Sequence, residues 1–269
     1  MDILKILKEV NVHSLDDGEK FLCTERRDRI IGLLKSSSWK KIVDDGFLLL
    51  YANFSFEAKQ NLKNYVLVSC HIDTVFDEND YFVEEIGEGE IKGTLDNSAS
   101  IAILLKSMLD NSFKKGVLVS FTGDEERGMA GVKKTMIFLK NNLREIFDSL
   151  TTVITLDITL DNYDKSVSIE NLFFNRKISN LPQIRDRKDF ENFVFEFFDK
   201  NRIDFGYVPH EYAAPDESWE YDEFGINAFS ICIPTFGDDC HSLNGVSTTL
   251  SKLNAVERSL IGIANEFLG

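Results

Sequence analysis

Apolar residues follow two rhythms along this chain. Short, nearly unbroken runs occur at Tyr65–Cys70, Val117–Phe121, Thr151–Leu156 and Ala228–Ile233. Runs of this length and β-branched content predict strands buried on both faces. Phe47–Phe56 and Ser166–Ile169 are further strand candidates, and Gly87-Glu88-Gly89-Glu90 has the composition of a hairpin tip. Between these runs the spacing changes to three and four. Residues 1–37 predict two helices broken at Ser14-Leu15-Asp16-Asp17, with Phe21, Ile30, Ile31, Leu33 and Leu34 as the apolar stripe of the second. Helices are also expected over Ala99–Leu109, Val132–Leu143, Lys188–Asn201 and Leu250–Leu268. Their candidate caps are Asn97 or Ser98 for the first, Asp186 for the third and Thr248-Thr249 for the last. Asn171–Pro182 reads as a loop. Strands alternating with helices, without repeats or a linker, predict one α/β domain over residues 1–269 with a mostly parallel, mixed central sheet flanked by helices.

Composition narrows the class. A hydrophobic content of 43 %, with 22 Phe, is ample for a bulky core. A net charge of −15 argues against nucleic acid and anionic membrane surfaces, and suits amine-bearing ligands. No apolar run is long enough to span a membrane. The first residues form an amphipathic pattern rather than a secretory leader, so a cytoplasmic location is expected. Cys23, Cys70, Cys232 and Cys240 lie far apart with no paired spacing, as reduced thiols would.

The residues able to do chemistry gather at predicted strand exits. His71 and Asp73 follow one apolar run, Glu125 and Glu126 follow the next, Asp157 ends a third, and His241 lies in the loop after a fourth. Asp96 stands at the start of a helix. In an open α/β sheet, sites form beyond the carboxyl ends of the strands, so distant segments deliver imidazoles and carboxylates to one edge. Two adjacent carboxylates after a buried strand raise each other's pKa unless a cation or proton compensates. A mixed His and carboxylate set is the donor chemistry of zinc and similar divalent ions.

The ordered motifs VSCHIDTV, GTLDNSAS, TGDEERGMAG, TLD and CHS resemble the co-catalytic di-zinc exopeptidases, a family that includes bacterial leucyl aminopeptidases and related carboxypeptidases and deacylases. The resemblance covers roughly residues 64–268. It implies a three-layer zinc-exopeptidase (phosphorylase/hydrolase-like) fold. The segment from Asp157 to His241 is too short for the separate lid domain of the dipeptidase relatives. It implies two zinc ions per chain, with cobalt or manganese as substitutes. His71 and Asp157 would hold one, Glu126 and His241 the other, and Asp96 would bridge them. Glu125 would be the general base, Asp73 would orient His71, and Tyr212, near His210, would stabilise the oxyanion.

The implied reaction is hydrolysis of a small peptide or amino-acyl substrate by an aminopeptidase, in a family whose members often form homo-oligomers. Related carboxypeptidase or N-acyl amino acid deacylase activity would call for an anion-binding arginine, from among Arg127, Arg176, Arg185 and Arg187. A free substrate amine would meet a metal or a nearby acid such as Asp216 or Glu217. A non-catalytic descendant would have lost a ligand or the base, whereas all are present here. Leu95 before Asp96, and Pro215-Asp216-Glu217-Ser218 where aminopeptidases commonly carry Ser-Asp-His, depart from the family pattern.

Overall fold

A computed structural model describes residues 2–12, 24–55, 62–76, 80–179 and 181–269. The expected break at residues 14–17, Phe21 and Cys23 lie outside the described residues. In chain order the elements are α1 (Ile3–Val10), α2 (Thr24–Leu34), β1 (Lys40–Asp45), β2 (Leu48–Ala52), β3 (Tyr65–His71), β4 (Val83–Gly87) and β5 (Glu90–Gly93). There follow α3 (Ser98–Leu109), β6 (Val117–Thr122), α4 (Ala130–Asn142), α5 (Arg144–Asp148), β7 (Leu150–Thr159) and β8 (Val167–Phe173). The last are α6 (Arg187–Lys200), β9 (Phe205–Val208), α7 (Glu217–Glu223), β10 (Ala228–Pro234), β11 (Val246–Thr249) and α8 (Leu250–Leu268).

Eight strands form one sheet in the order β1-β2-β6-β3-β7-β10-β8-β9. The central four, β6, β3, β7 and β10, run parallel, so their carboxyl ends share one edge. β2 joins β6, and β8 joins β10, in antiparallel pairs. A small antiparallel sheet, β11-β5-β4, sits beside it.

The central runs lack polar alternation because helices cover both faces. Along β3, Val66, Val68 and Cys70 enter one apolar cluster, while Tyr65 and Leu67 enter the other. The first cluster takes in residues of α1, α3, α6 and α8, and the second residues of α4, α5 and α7, which gives three layers. No described helix is long and apolar enough to cross a membrane.

Several boundaries differ from the sequence expectation. Asp157 lies within β7, which runs on to Thr159, because β10 continues to pair with it there. Asn171 begins no loop: β8 extends through Phe173, with Phe173 paired to Ala228. The stripe of α2 does bury Ile30 and Leu34, but the fully buried Arg26 shares it. Arg26 donates from Nε to the Val10 carbonyl and from Nη1 to the Ile72 carbonyl, both at 3.0 Å. A buried guanidinium is tolerated through such contacts, and this one braces the exit of β3.

The turn after β6 depends on one glycine. Gly131 N donates to Gly123 O at 2.9 Å, and a Cβ at Gly131 would lie 2.6 Å from both Gly123 N and Phe47 O. Both neighbours are backbone and cannot swing aside. Gly131→Ala should therefore cost about 1–3 kcal/mol of stability, read as a lower urea midpoint at unchanged slope.

Candidate metal centre

Each element delivers its side chain for a local reason. His71 closes β3, in register with Thr122 of β6. Asp96 sits between β5 and α3, and the Asp96–Asn97 peptide is cis. Asn97 occupies the N-cap of α3, yet its side chain makes no cap bond. It donates instead from Nδ2 to the Leu156 carbonyl at 2.8 Å, tying the Asp96 turn to β7 beside Asp157. The turn carrying Glu125 and Glu126 is shaped by Asp124, which has φ 69°. The Asp124 carbonyl accepts from Gly128 and Met129, and its Oδ2 accepts from Ala130 N.

Five expected side chains converge. His71 Nε2 lies 3.4 Å from Asp96 Oδ1 and 3.5 Å from Asp157 Oδ1. His241 Nε2 lies 3.1 Å from Asp96 Oδ2 and 3.3 Å from Glu126 Oε2. The two oxygens of Asp96 thus face different imidazoles and join two groups into one cluster. Donor atoms of His71, Asp96 and Glu126 all lie within 4.8 Å of one another. Asp73 stands behind His71: its carbonyl is 3.2 Å and its Oδ1 3.7 Å from Nδ1, while its Oδ2 accepts from Glu126 N.

Several of these atoms have no hydrogen-bond partner. His71 Nε2, Asp96 Oδ1 and Glu126 Oε1 are buried and unsatisfied. Buried polar atoms are nearly always paired, so three such atoms in one cluster fit ligands of a cation. The charge balance agrees. Burial, with nearby acids, pushes Glu125 up to about 9, and burial pushes Asp157 up to about 6. Contacts with Asp96 and Glu126 push His241 up to about 11. Burial works to lower His71, but Glu125 and Asp157 outweigh it and hold it well above its ordinary value. Added positive charge would return the acids to the ionised form. Imidazoles with carboxylates suit zinc and neighbouring divalent ions.

A pH dependence follows for metal-free protein. Glu125, Asp157, His71 and His241 all bind protons more tightly folded than unfolded. Their stabilising contribution is complete at low pH and is lost as pH rises through the folded values. Asp73 runs the other way, but only below the ordinary carboxylate range. The urea midpoint of chelated protein should therefore fall steadily from pH 5 to about 9.

The other expected residues are not members of this cluster. Tyr212 is 82 % exposed, in a turn where its N–H donates to the Pro209 carbonyl. His210 packs against Phe173 and Trp219 and accepts from Arg187 Nη2. Arg176 holds the carbonyls of Phe147 and Leu150, while Arg185 and Arg187 pair with Asp189 and Glu191. Asp216 and Glu217 are turned into the fold. Asp216 caps α7 and accepts from Ser230, and Glu217, 2 % exposed, accepts from Thr122 Oγ1 beneath His71. Neither motif spacing nor periodicity pointed to Arg26, to the bond from Asn97 to Leu156 or to the buried place of Glu217.

Comparisons with known proteins add the following. A family model described as Peptidase family M28 matches residues 53–192. The sequence matches no curated protein. Among solved structures, an aminopeptidase from the archaeon Desulfurococcus kamchatkensis superposes with TM-score 0.72 at 14 % identity, over 98 % of this chain and 94 % of that one. The TET1 peptidase of Pyrococcus horikoshii gives 0.67 at 14 %, over 98 % and 100 %. The aminopeptidase PepT of Bacillus cereus gives 0.66 at 11 %, over 99 % and 98 %.

Proposed function

Since the chain belongs to Peptidase family M28, and is a metal-dependent peptide hydrolase of aminopeptidase-like fold, we propose that it removes amino-terminal residues using two zinc ions. His71 and Asp157 would hold one ion, His241 and Glu126 the other, and Asp96 would bridge. The observation that carries this reading is Asp96 itself, whose oxygens lie 3.4 Å from one imidazole and 3.1 Å from the other. When bound, such ions polarise the scissile carbonyl and lower the pKa of water.

The chain's own groups do the rest. Glu125, half-buried on the turn beside Glu126, takes a proton from the attacking water and passes it to the leaving amine. Asp73 would fix the ring of His71 through its carbonyl and carboxylate, holding the proton on Nδ1 and leaving the Nε2 lone pair for a metal. Of the four candidate arginines, Arg176, Arg185 and Arg187 are held by carbonyls or carboxylates, which supports a substrate amine over a carboxylate, while Arg127 lies exposed on the turn after Glu126. Tyr212 would need its turn to move to act as an oxyanion donor. Three unpaired thiols, Cys70, Cys232 and Cys240, suit a reducing, cytoplasmic setting. The TET1 relative can assemble into a tetrahedron or a large octahedral shell, and we extend homo-oligomer formation to this chain. The whole of residues 1–269 is taken as one catalytic domain.

The test is hydrolysis of amino-acyl chromogenic amides beside N-acyl amino acids, by zinc-loaded and chelated protein. Metal-dependent turnover of the free-amine amides is expected. Turnover confined to acylated or carboxyl-terminal substrates would refute the aminopeptidase reading.

A further inference from the structure

The sheet carries a second feature on the side of Asp157 away from β3. Cys232 of β10 stands opposite Asp157 of β7 and opposite Ser168 of β8. Residues opposite one another in register share a face, and so does a residue two further along the strand. Glu170 is therefore on the face of Asp157, two strand spacings across and two residues along, roughly 12 Å away.

A cavity of about 240 Å³ occupies that interval. Asp157 and Cys240 line its end at the metal cluster, Asp161 and Asp239 are exposed, and Glu170 and Asp216 are only 4 % and 7 % exposed. Asp216 is satisfied on both oxygens by Ser218 and Ser230. Glu170 accepts from the Ser168 hydroxyl at 2.7 Å. No lysine or arginine lines the cavity, and among the described residues none pairs with these acids. A buried carboxylate without a cation is costly, and a cationic ligand would relieve it.

We propose that this cavity receives the side chain of the substrate's first residue and that Glu170 selects a cationic one, lysine or arginine. The proposal rests on the aminopeptidase reading, in which the side chain of the first residue lies next to the metal cluster and so beside Asp157. The distance from the cluster suits the two long basic side chains, which reach across where a short one leaves Glu170 unpaired. A glutamate or aspartate side chain would meet like charge at every depth of the cavity. Burial holds the Glu170 carboxyl up at about 7, a position that a bound ammonium or guanidinium reverses.

Two readouts test this. On zinc-loaded protein, kcat/KM is measured for lysyl, arginyl, leucyl and glutamyl p-nitroanilides, with wild type and Glu170→Gln. In parallel, calorimetry compares binding of L-lysine amide with that of L-norleucine amide, which has a similar chain and no side-chain charge. Wild type should favour lysyl and arginyl over leucyl at least tenfold, with glutamyl last. Glu170→Gln should cut the lysyl-to-leucyl ratio about tenfold and erase the calorimetric preference for the lysine amide. A wild type that prefers leucyl, or a variant that lowers both substrates equally, overturns the proposal while leaving the peptidase reading intact. No turnover of any amide, with a Glu170-dependent preference for the lysine amide, would sink the peptidase reading and keep the pocket.

Discussion

Glu125→Gln should lower kcat by about 10²–10⁴-fold, the range for removing a positioned general base. Bound metal should be retained, because the cluster distances run through His71, Asp96, Glu126, Asp157 and His241. Glutamine keeps the size of the side chain and a hydrogen-bonding oxygen but cannot carry a proton from water to the leaving amine. It also removes an acid that burial pushes up to about 9, so the chelated variant should be no less stable than wild type at pH 8. Retained metal with lost turnover separates the base from the ligands. A variant with wild-type kcat would show that Glu125 is not the base.

Asp96→Asn tests the other half of the cluster. Asp96 is 4 % exposed, and its two oxygens are the shared edge of both groups. Asparagine presents one oxygen and an amide N–H₂, so one side loses its acceptor and faces a donor. Metal retention should drop below that of wild type, and turnover should fall about 10³-fold, the equivalent of several kcal/mol of lost charge stabilisation. The chelated variant should hold its fold, since Asn97, rather than Asp96, ties this turn to Leu156. Elemental analysis and circular dichroism on the same sample read both effects.

The sequence made the middle of the fold legible and left its margins obscure. Strands β3, β6, β7 and β10 are buried on both faces, so their residues are mostly apolar, and that pattern is visible in one dimension. β1 (KKIVDD) and α7 (ESWEYDE) are edge or cover elements whose charged residues mask their periodicity. β9, at the far edge, is only four half-buried residues.

The same division holds at the site. His71 closes a recognisable strand, while Asp96, Glu126 and His241 sit in loops just after, or before, recognisable elements, and polar residues there stand out against apolar runs. The groups that hold those loops were hidden. Arg26 reaches Ile72 across 46 residues of sequence, and Asn97 reaches Leu156 across 59. Only the folded chain reveals such pairings. Asp216 and Glu217, which the sequence offers as acids for a substrate amine, are held inward by hydroxyls of Ser218, Ser230 and Thr122, another set of pairings that spacing does not display.

The central claim is that five side chains form a shared two-metal site. Its most direct test is metal content per chain, by elemental analysis of protein purified without chelator and of protein reconstituted with zinc and desalted. Two ions per chain in wild type, and fewer in Asp96→Asn, is the predicted result. Protein that retains no divalent metal under any reconstitution would contradict the account.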